Sequence, residues 1–131
     1  MKVEEIMTTT IVSVEMDDTL KVVKEIFDNV SFHHLLVVDG GELFGVISDR
    51  DLLRVLSPKV GTVAETSADA AELKKRAHQI MTRKPITLAP SADLKEAIEV
   101  FNTSRISCIP IVDSRNKPVG MLSWRDILKT L

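Results

Sequence analysis

The sequence carries one seven-residue pattern twice: Gly45-Val46-Ile47-Ser48-Asp49-Arg50-Asp51 and Gly120-Met121-Leu122-Ser123-Trp124-Arg125-Asp126. In each, an apolar strand runs into a helix start. A serine there accepts a hydrogen bond from a backbone N–H, and the unpaired N–H groups beside it attract phosphate. An aspartate one turn on can accept two hydrogen bonds from the vicinal hydroxyls of a ribose. Together these are the parts of a nucleotide cradle. The same Ser-x-x-Asp spacing is also a capping box, which closes a helix start and binds nothing. The pattern alone leaves both readings open. Arg50 and Arg125, each beside its aspartate, either reach phosphates across a pseudo-two-fold axis or are simply solvated.

Other reactive residue types are few. His33 and His34 are adjacent and precede an apolar run, so on a strand they face opposite ways and cannot readily chelate one ion. We expect no metal site. His78 falls in a helical stretch and reads as an exposed helix residue. The lone cysteine, Cys108, cannot form an internal disulfide and reads as a small buried apolar residue. The sequence shows no Ser-His-Asp or Cys-His arrangement, paired-carboxylate motif, glycine-rich phosphate loop or metal-ligand spacing. We therefore expect no enzyme and no catalytic cofactor.

The elements that position the pattern are themselves repeated. Ile6-Met7-Thr8 aligns with Ile80-Met81-Thr82, and the alignment runs without a gap to Val38-Asp39 and Val112-Asp113. After one extra residue in the second copy, Gly45 to Leu56 meets Gly120 to Leu131. The two copies share fifteen identities over about fifty positions, more than two unrelated amphipathic segments usually share. Leu20, Val23, Phe27 and Val30 lie on one helical face, as do Leu94, Ala97, Ile98 and Phe101, with Asp17 and Ser91 at the matched cap positions. Apolar runs at Leu35–Val38 and Leu43–Ile47, and at Ile109–Val112 and Val119–Leu122, read as strand, turn, strand. Each copy thus reads strand, helix, strand, strand, helix, an α/β (α+β) arrangement. Helix propensity over Ala68 to Ile80 predicts a lead-in helix for the second copy. We divide the chain into repeat 1 over 1–58, a linker over 59–67 and repeat 2 over 68–131. A half of this size does not comfortably stabilise its own core, so the copies are expected to bury a sheet face against each other about a pseudo-two-fold axis.

The totals bound the partners. The chain has 131 residues and 44% hydrophobic content, enough for one compact core. A formal charge of -2 gives no field that would draw nucleic acid or an anionic membrane. No apolar run approaches the roughly 20 residues that span a bilayer, and the amino terminus is acidic where a secretory peptide would be apolar. The expected location is the cytoplasm.

With these residues in place, the chain resembles the cystathionine β-synthase (CBS) domain family as a tandem pair. The likeness rests on the two Gly-x-x-Ser-x-x-Asp patterns, the Ile-Met-Thr lead-ins, the Leu-Lys helix starts and Ile109-Pro110-Ile111-Val112-Asp113. It implies a regulatory module that senses adenine nucleotides or related adenosyl ligands in clefts between the repeats, with AMP, ADP, ATP or S-adenosylmethionine as candidates. It further implies that Asp51 and Asp126 hold ribose, with Ser48 and Ser123 near phosphate. Thr10, Ile11 and Val12, or Lys84, Pro85 and Ile86, would surround the base. His33 would contact phosphate and His34 would wall the cleft. Pro110 stands where the family often has proline, but its first-copy partner is Leu36, so the two sites should differ. A homodimer and an effector protein are the expected macromolecular partners. The rival expectation is a structural dimerisation module whose sites bind nothing.

Overall fold

The computed structural model describes residues 1–131. In chain order its elements are a 3-10 turn at Val3–Glu5, β1 (Ser13–Glu15), α1 (Leu20–Asn29), β2 (His34–Asp39), β3 (Glu42–Ser48), α2 (Asp49–Val55), α3 (Ser67–Glu72), α4 (Ala77–Ile80), β4 (Thr82–Arg83), α5 (Leu94–Thr103), β5 (Cys108–Val112), β6 (Pro118–Ser123) and α6 (Trp124–Leu128). Four strands form a sheet in the order β1-β2-β3-β4, and β5 pairs with β6 in a second sheet. The mixed α/β architecture agrees with the sequence reading, with the strand-helix-strand-strand-helix order complete in the first copy and the opening strand of the second reduced to a single bridge at Leu88.

The chain packs as two compact units that do not follow the sequence repeats. One comprises Met1–Val12, Gly40–Leu43 and Lys84–Leu131; the other comprises Ser13–Asp39 and Phe44–Arg83. Each unit therefore joins the body of one repeat to the lead-in of the other.

In the first unit, Val3 from the lead-in is fully buried in a core with Ala97, Phe101, Ile109, Ile111, Leu122 and Ile127. The lead-in is held there by hydrogen bonds from Val3 N to Ala92 O (2.9 Å) and from Leu94 N to Met1 O (2.9 Å). Ile109 faces Leu122 and Pro110 faces Met121 across the antiparallel β5–β6 pair.

In the second unit the matching position to Val3 is Ala77, also fully buried, alongside Leu20, Val23, Leu35, Leu36, Val37 and Ile47. Strand β1 runs parallel to β2, with Ser13 opposite Leu36, Val14 opposite Val37 and Glu15 opposite Val38. In the other repeat the equivalent pairing shrinks to one bridge, Leu88 with Ile111. Proline at 110, where the first copy has Leu36, has no N–H to donate to a neighbouring strand.

Two local expectations are corrected. The residues capping the long helices are Thr19 and Asp93, not Asp17 and Ser91: Thr19 accepts from Val22 N and Asp93 from Lys95 N. The helices start at Leu20 and Leu94, and a capping side chain reaches the first-turn N–H groups from the residue just before. The lead-in helix predicted over Ala68 to Ile80 is two short helices, α3 and α4. Between them the chain opens so that Lys75 O accepts from Leu20 N (2.8 Å) and Leu73 O from Lys21 N (3.1 Å). First-turn N–H groups of α1 would otherwise lack partners. Satisfying them outweighs the intrinsic helix preference of Leu73–Arg76, which amounts to only tenths of a kcal/mol per residue.

Candidate nucleotide-binding site

Both Ser-x-x-Asp patterns sit where a strand enters a short helix. In the second unit Ser48 Oγ accepts from Asp51 N (3.0 Å), and Asp51 Oδ2 accepts from Ser48 N (2.8 Å). In the first unit Asp126 Oδ2 accepts from Ser123 N (2.9 Å) and from Ser123 Oγ (3.2 Å), and Asp126 N donates to Ser123 Oγ (3.4 Å). The reciprocal capping box is thus present in both copies. It engages one carboxylate oxygen, Oδ2, and leaves Oδ1 outside the box. A carboxylate has about four lone-pair sites, so closing the helix does not exhaust either aspartate as an acceptor.

The surroundings of the two Oδ1 atoms differ. Asp51 Oδ1 has only Arg54 Nη1 at 3.9 Å, and that arginine is 77% exposed. Such a surface pair contributes little. Asp126 Oδ1 instead accepts a hydrogen bond from Thr8 Oγ1 at 3.1 Å. Thr8 arrives on the lead-in, fixed by paired backbone bonds with Met121: Thr8 N to Met121 O (2.8 Å) and Met121 N to Thr8 O (2.9 Å). Thr82, its counterpart, occupies the matching place opposite Val46.

The glycine that opens each pattern permits this approach. A Cβ on Gly45 would lie 2.5 Å from Met81 Sδ and 2.9 Å from Thr82 O. On Gly120 it would lie 2.6 Å from Met7 Sδ and 3.0 Å from Thr8 O. The glycines therefore serve the docking of the Ile-Met-Thr segments.

Around Asp51, the His33 carbonyl accepts from Asp49 N (3.0 Å), while His33 Nδ1 lies 2.9 Å from Asp49 Oδ2. That side-chain hydrogen bond holds the Asp49 carboxyl below its usual range. His34 starts β2, and its burial lowers its pKa despite the opposing attraction of Asp49. Near neutral pH His34 is therefore predominantly uncharged. Arg50 and Arg125 are exposed.

The remaining candidates lie in the first unit. Thr10, Ile11 and Val12, associated in sequence with the first copy, pack in the unit that carries Asp126, as do Lys84, Pro85 and Ile86. Lys84 adopts a left-handed backbone (φ 49°), uncommon for a residue with a side chain. Pro110 is fully buried. Trp124 packs on Phe101 with ring centroids 4.7 Å apart, so it supports the helix-to-helix contact of its own unit. Cys108 is buried, which raises its thiol pKa to about 12 and leaves almost no thiolate at neutral pH. His78 is half-buried, 3.8 Å from Asp17. No group of three or more His, Cys, Asp and Glu side chains is placed to hold a metal ion. No helix is long and apolar enough to cross a membrane.

The sequence profile of the CBS domain matches residues 3–58 and 77–131. The chain belongs to the CBS domain family. A CBS domain-containing protein of Dictyostelium discoideum is 31% identical, over 98% of this chain and 90% of that protein. Protein MJ1225 of Methanocaldococcus jannaschii superposes with a TM-score of 0.85 at 25% identity, covering 100% of this chain and 50% of that one. The structure of CBSX2 in complex with AMP superposes with a TM-score of 0.81 at 22% identity, covering 98% and 94%. Some relatives are enzymes of which the match covers less than a quarter. The chain spans 23% of the inosine-5'-monophosphate dehydrogenase of M. jannaschii, at 26% identity. The likeness is thus to a minor part of that enzyme.

Proposed function

We propose that this CBS pair is a regulatory module that binds an adenosyl ligand, AMP, ADP, ATP or S-adenosylmethionine, and catalyses nothing itself. The observation that carries this reading is the duplicated serine–aspartate pair, whose capping bonds leave Asp51 Oδ1 unused, with Arg54 no nearer than 3.9 Å. Asp51 and Asp126 hold ribose hydroxyls, Ser48 and Ser123 with Arg50, Arg125 and His33 stand near phosphate, and Thr10–Val12 and Lys84–Ile86 supply the base wall. Pro110 and His34 complete the lining. The AMP bound by CBSX2 supports the ligand class. Binding is read by an effector protein in the cytoplasm, and the repeats, 1–58 and 68–131 with the 59–67 linker, are the units that respond.

Calorimetry with AMP, ADP, ATP and S-adenosylmethionine tests the reading. At least one of these ligands binds, and Asp51→Ala and Asp126→Ala each weaken the ribose contact at their own site. The loss is about 1.5–3 kcal/mol, roughly ten- to hundredfold in affinity. Unchanged affinity in both variants would return the pattern to a plain helix cap.

We also propose a homodimer. Leu53 on α2 and its repeat counterpart Leu128 on α6 are 74% and 61% exposed. Matched apolar side chains on both second helices support a self-complementary contact. Sedimentation at tens of micromolar should show a dimer, and a monomer would refute it.

A further inference from the structure

We propose that Thr8 is a built-in competitor for the ribose site at Asp126, so that the second repeat's site is closed by the chain itself while the first is open. This inference rests on the ribose role assigned to the aspartates above.

The two aspartates share the backbone half of the capping box, and at Asp126 two hydroxyls are added to it, Ser123 Oγ on Oδ2 and Thr8 Oγ1 on Oδ1. Each accepts the backbone N–H of its serine on Oδ2, and each stands beside a strand to which an Ile-Met-Thr segment is bonded. At Asp126 the threonine hydroxyl occupies Oδ1 at 3.1 Å. At Asp51 the corresponding oxygen has an exposed arginine at 3.9 Å, too far for a hydrogen bond. A vicinal diol needs its two O–H groups to reach carboxylate lone pairs. At Asp126 the Ser123 N–H and O–H already share Oδ2, and Thr8 takes one of the two sites on Oδ1.

The hydroxyl can leave without unfolding anything. Thr8 is exposed, and its backbone is held by its own two bonds to Met121, so rotation about its side-chain bond frees Oδ1. A β-branched side chain has few such rotamers, so the turned-away state is a distinct one. Ligand entry at Asp126 therefore displaces an existing hydrogen bond, and Thr8 lowers affinity specifically for ligands carrying a 2′,3′-diol.

The test compares Thr8→Val, which keeps the shape and loses the hydroxyl, with Thr8→Ser, which keeps the hydroxyl. Both are placed on an Asp51→Ala background and titrated calorimetrically with AMP and with 2′-deoxy-AMP. Thr8→Val is expected to tighten AMP by about three- to tenfold and 2′-deoxy-AMP by clearly less, while Thr8→Ser matches the parent. Equal affinity for AMP in the Val and Ser variants, or an equal gain for both ligands, would overturn the Thr8 role alone. If the Asp51→Ala background folds poorly, the same pair of substitutions is made in the otherwise unmutated chain, where the weaker of two AMP binding steps must strengthen. Failure of the unmutated chain to bind AMP or 2′-deoxy-AMP at all would overturn the ribose assignment and this inference with it.

Discussion

Leu122→Ala is expected to lower the stability of the chain by about 2–5 kcal/mol, a fall in melting temperature of order 10 °C. Leu122 is fully buried on β6, opposite Ile109, in the core shared with Val3, Ala97, Phe101, Ile111 and Ile127. Its core partners come from four separate segments, the distant lead-in together with α5, β5 and α6, so the space left by truncation is not closed by one local shift. A two-stranded sheet is also marginal unless something packs on it. Urea titration followed by circular dichroism measures the loss. Leu122→Met, which nearly conserves volume, should cost less than about 1.5 kcal/mol. Val63→Ala, at a fully exposed position, should stay within about 0.5 kcal/mol. A Leu122→Ala loss no larger than that of Val63→Ala would contradict the core described here.

Gly45→Val should destabilise by about 1–3 kcal/mol through the opposite fault, too much volume. The new Cβ meets Met81 Sδ at 2.5 Å and Met81 Cγ at 2.8 Å, atoms of a side chain that could rotate. It also meets Thr82 O at 2.9 Å, and that oxygen belongs to backbone paired with β3. A carbonyl held in a ladder cannot move without breaking the ladder, so β4 must lift from β3. Hydrogen exchange localises the effect: backbone amides at the β3–β4 pairing should lose protection while those of β1 and β2 keep theirs. An unchanged melt with full protection at Thr82 would show that the lead-in does not depend on the glycine.

Much of this was legible in the sequence because it repeats. The alignment of the Ile-Met-Thr segments, the amphipathic helices at Leu20 and Leu94 and the two glycine-led patterns set the element order of both copies. What pattern matching lacks is any knowledge of partners. Periodicity shows that Val3 and Ala77 are apolar positions of a lead-in, yet it does not reveal that each is buried with the other repeat's body. The break at Leu73–Arg76 is invisible for the same reason, since its residues favour helix and only the N–H groups of a distant helix draw their carbonyls away. Asp17 and Ser91 looked like caps because of residue type, where the helix start itself selects Thr19 and Asp93. At the candidate site the serine–aspartate pairs and their reciprocal bonds followed from spacing. Thr8 did not, although a signal was present: threonine ends both Ile-Met-Thr segments, at Thr8 and Thr82. The proline at 110 was noticed as a difference between the sites, and its effect falls on strand pairing, where a missing N–H matters most.

The exchange of lead-ins sets an order of assembly during synthesis. The unit built from Ser13–Asp39 and Phe44–Arg83 has all its residues once position 83 has left the ribosome. The unit that takes Met1–Val12 is completed only by residues up to Leu131, so that lead-in has no place to dock until they have followed. Throughout that interval Val3, Ile6 and Met7 remain uncovered on the nascent chain. A newly made molecule thus passes through a half-built stage with an unpaired apolar segment, the kind of surface chaperones engage.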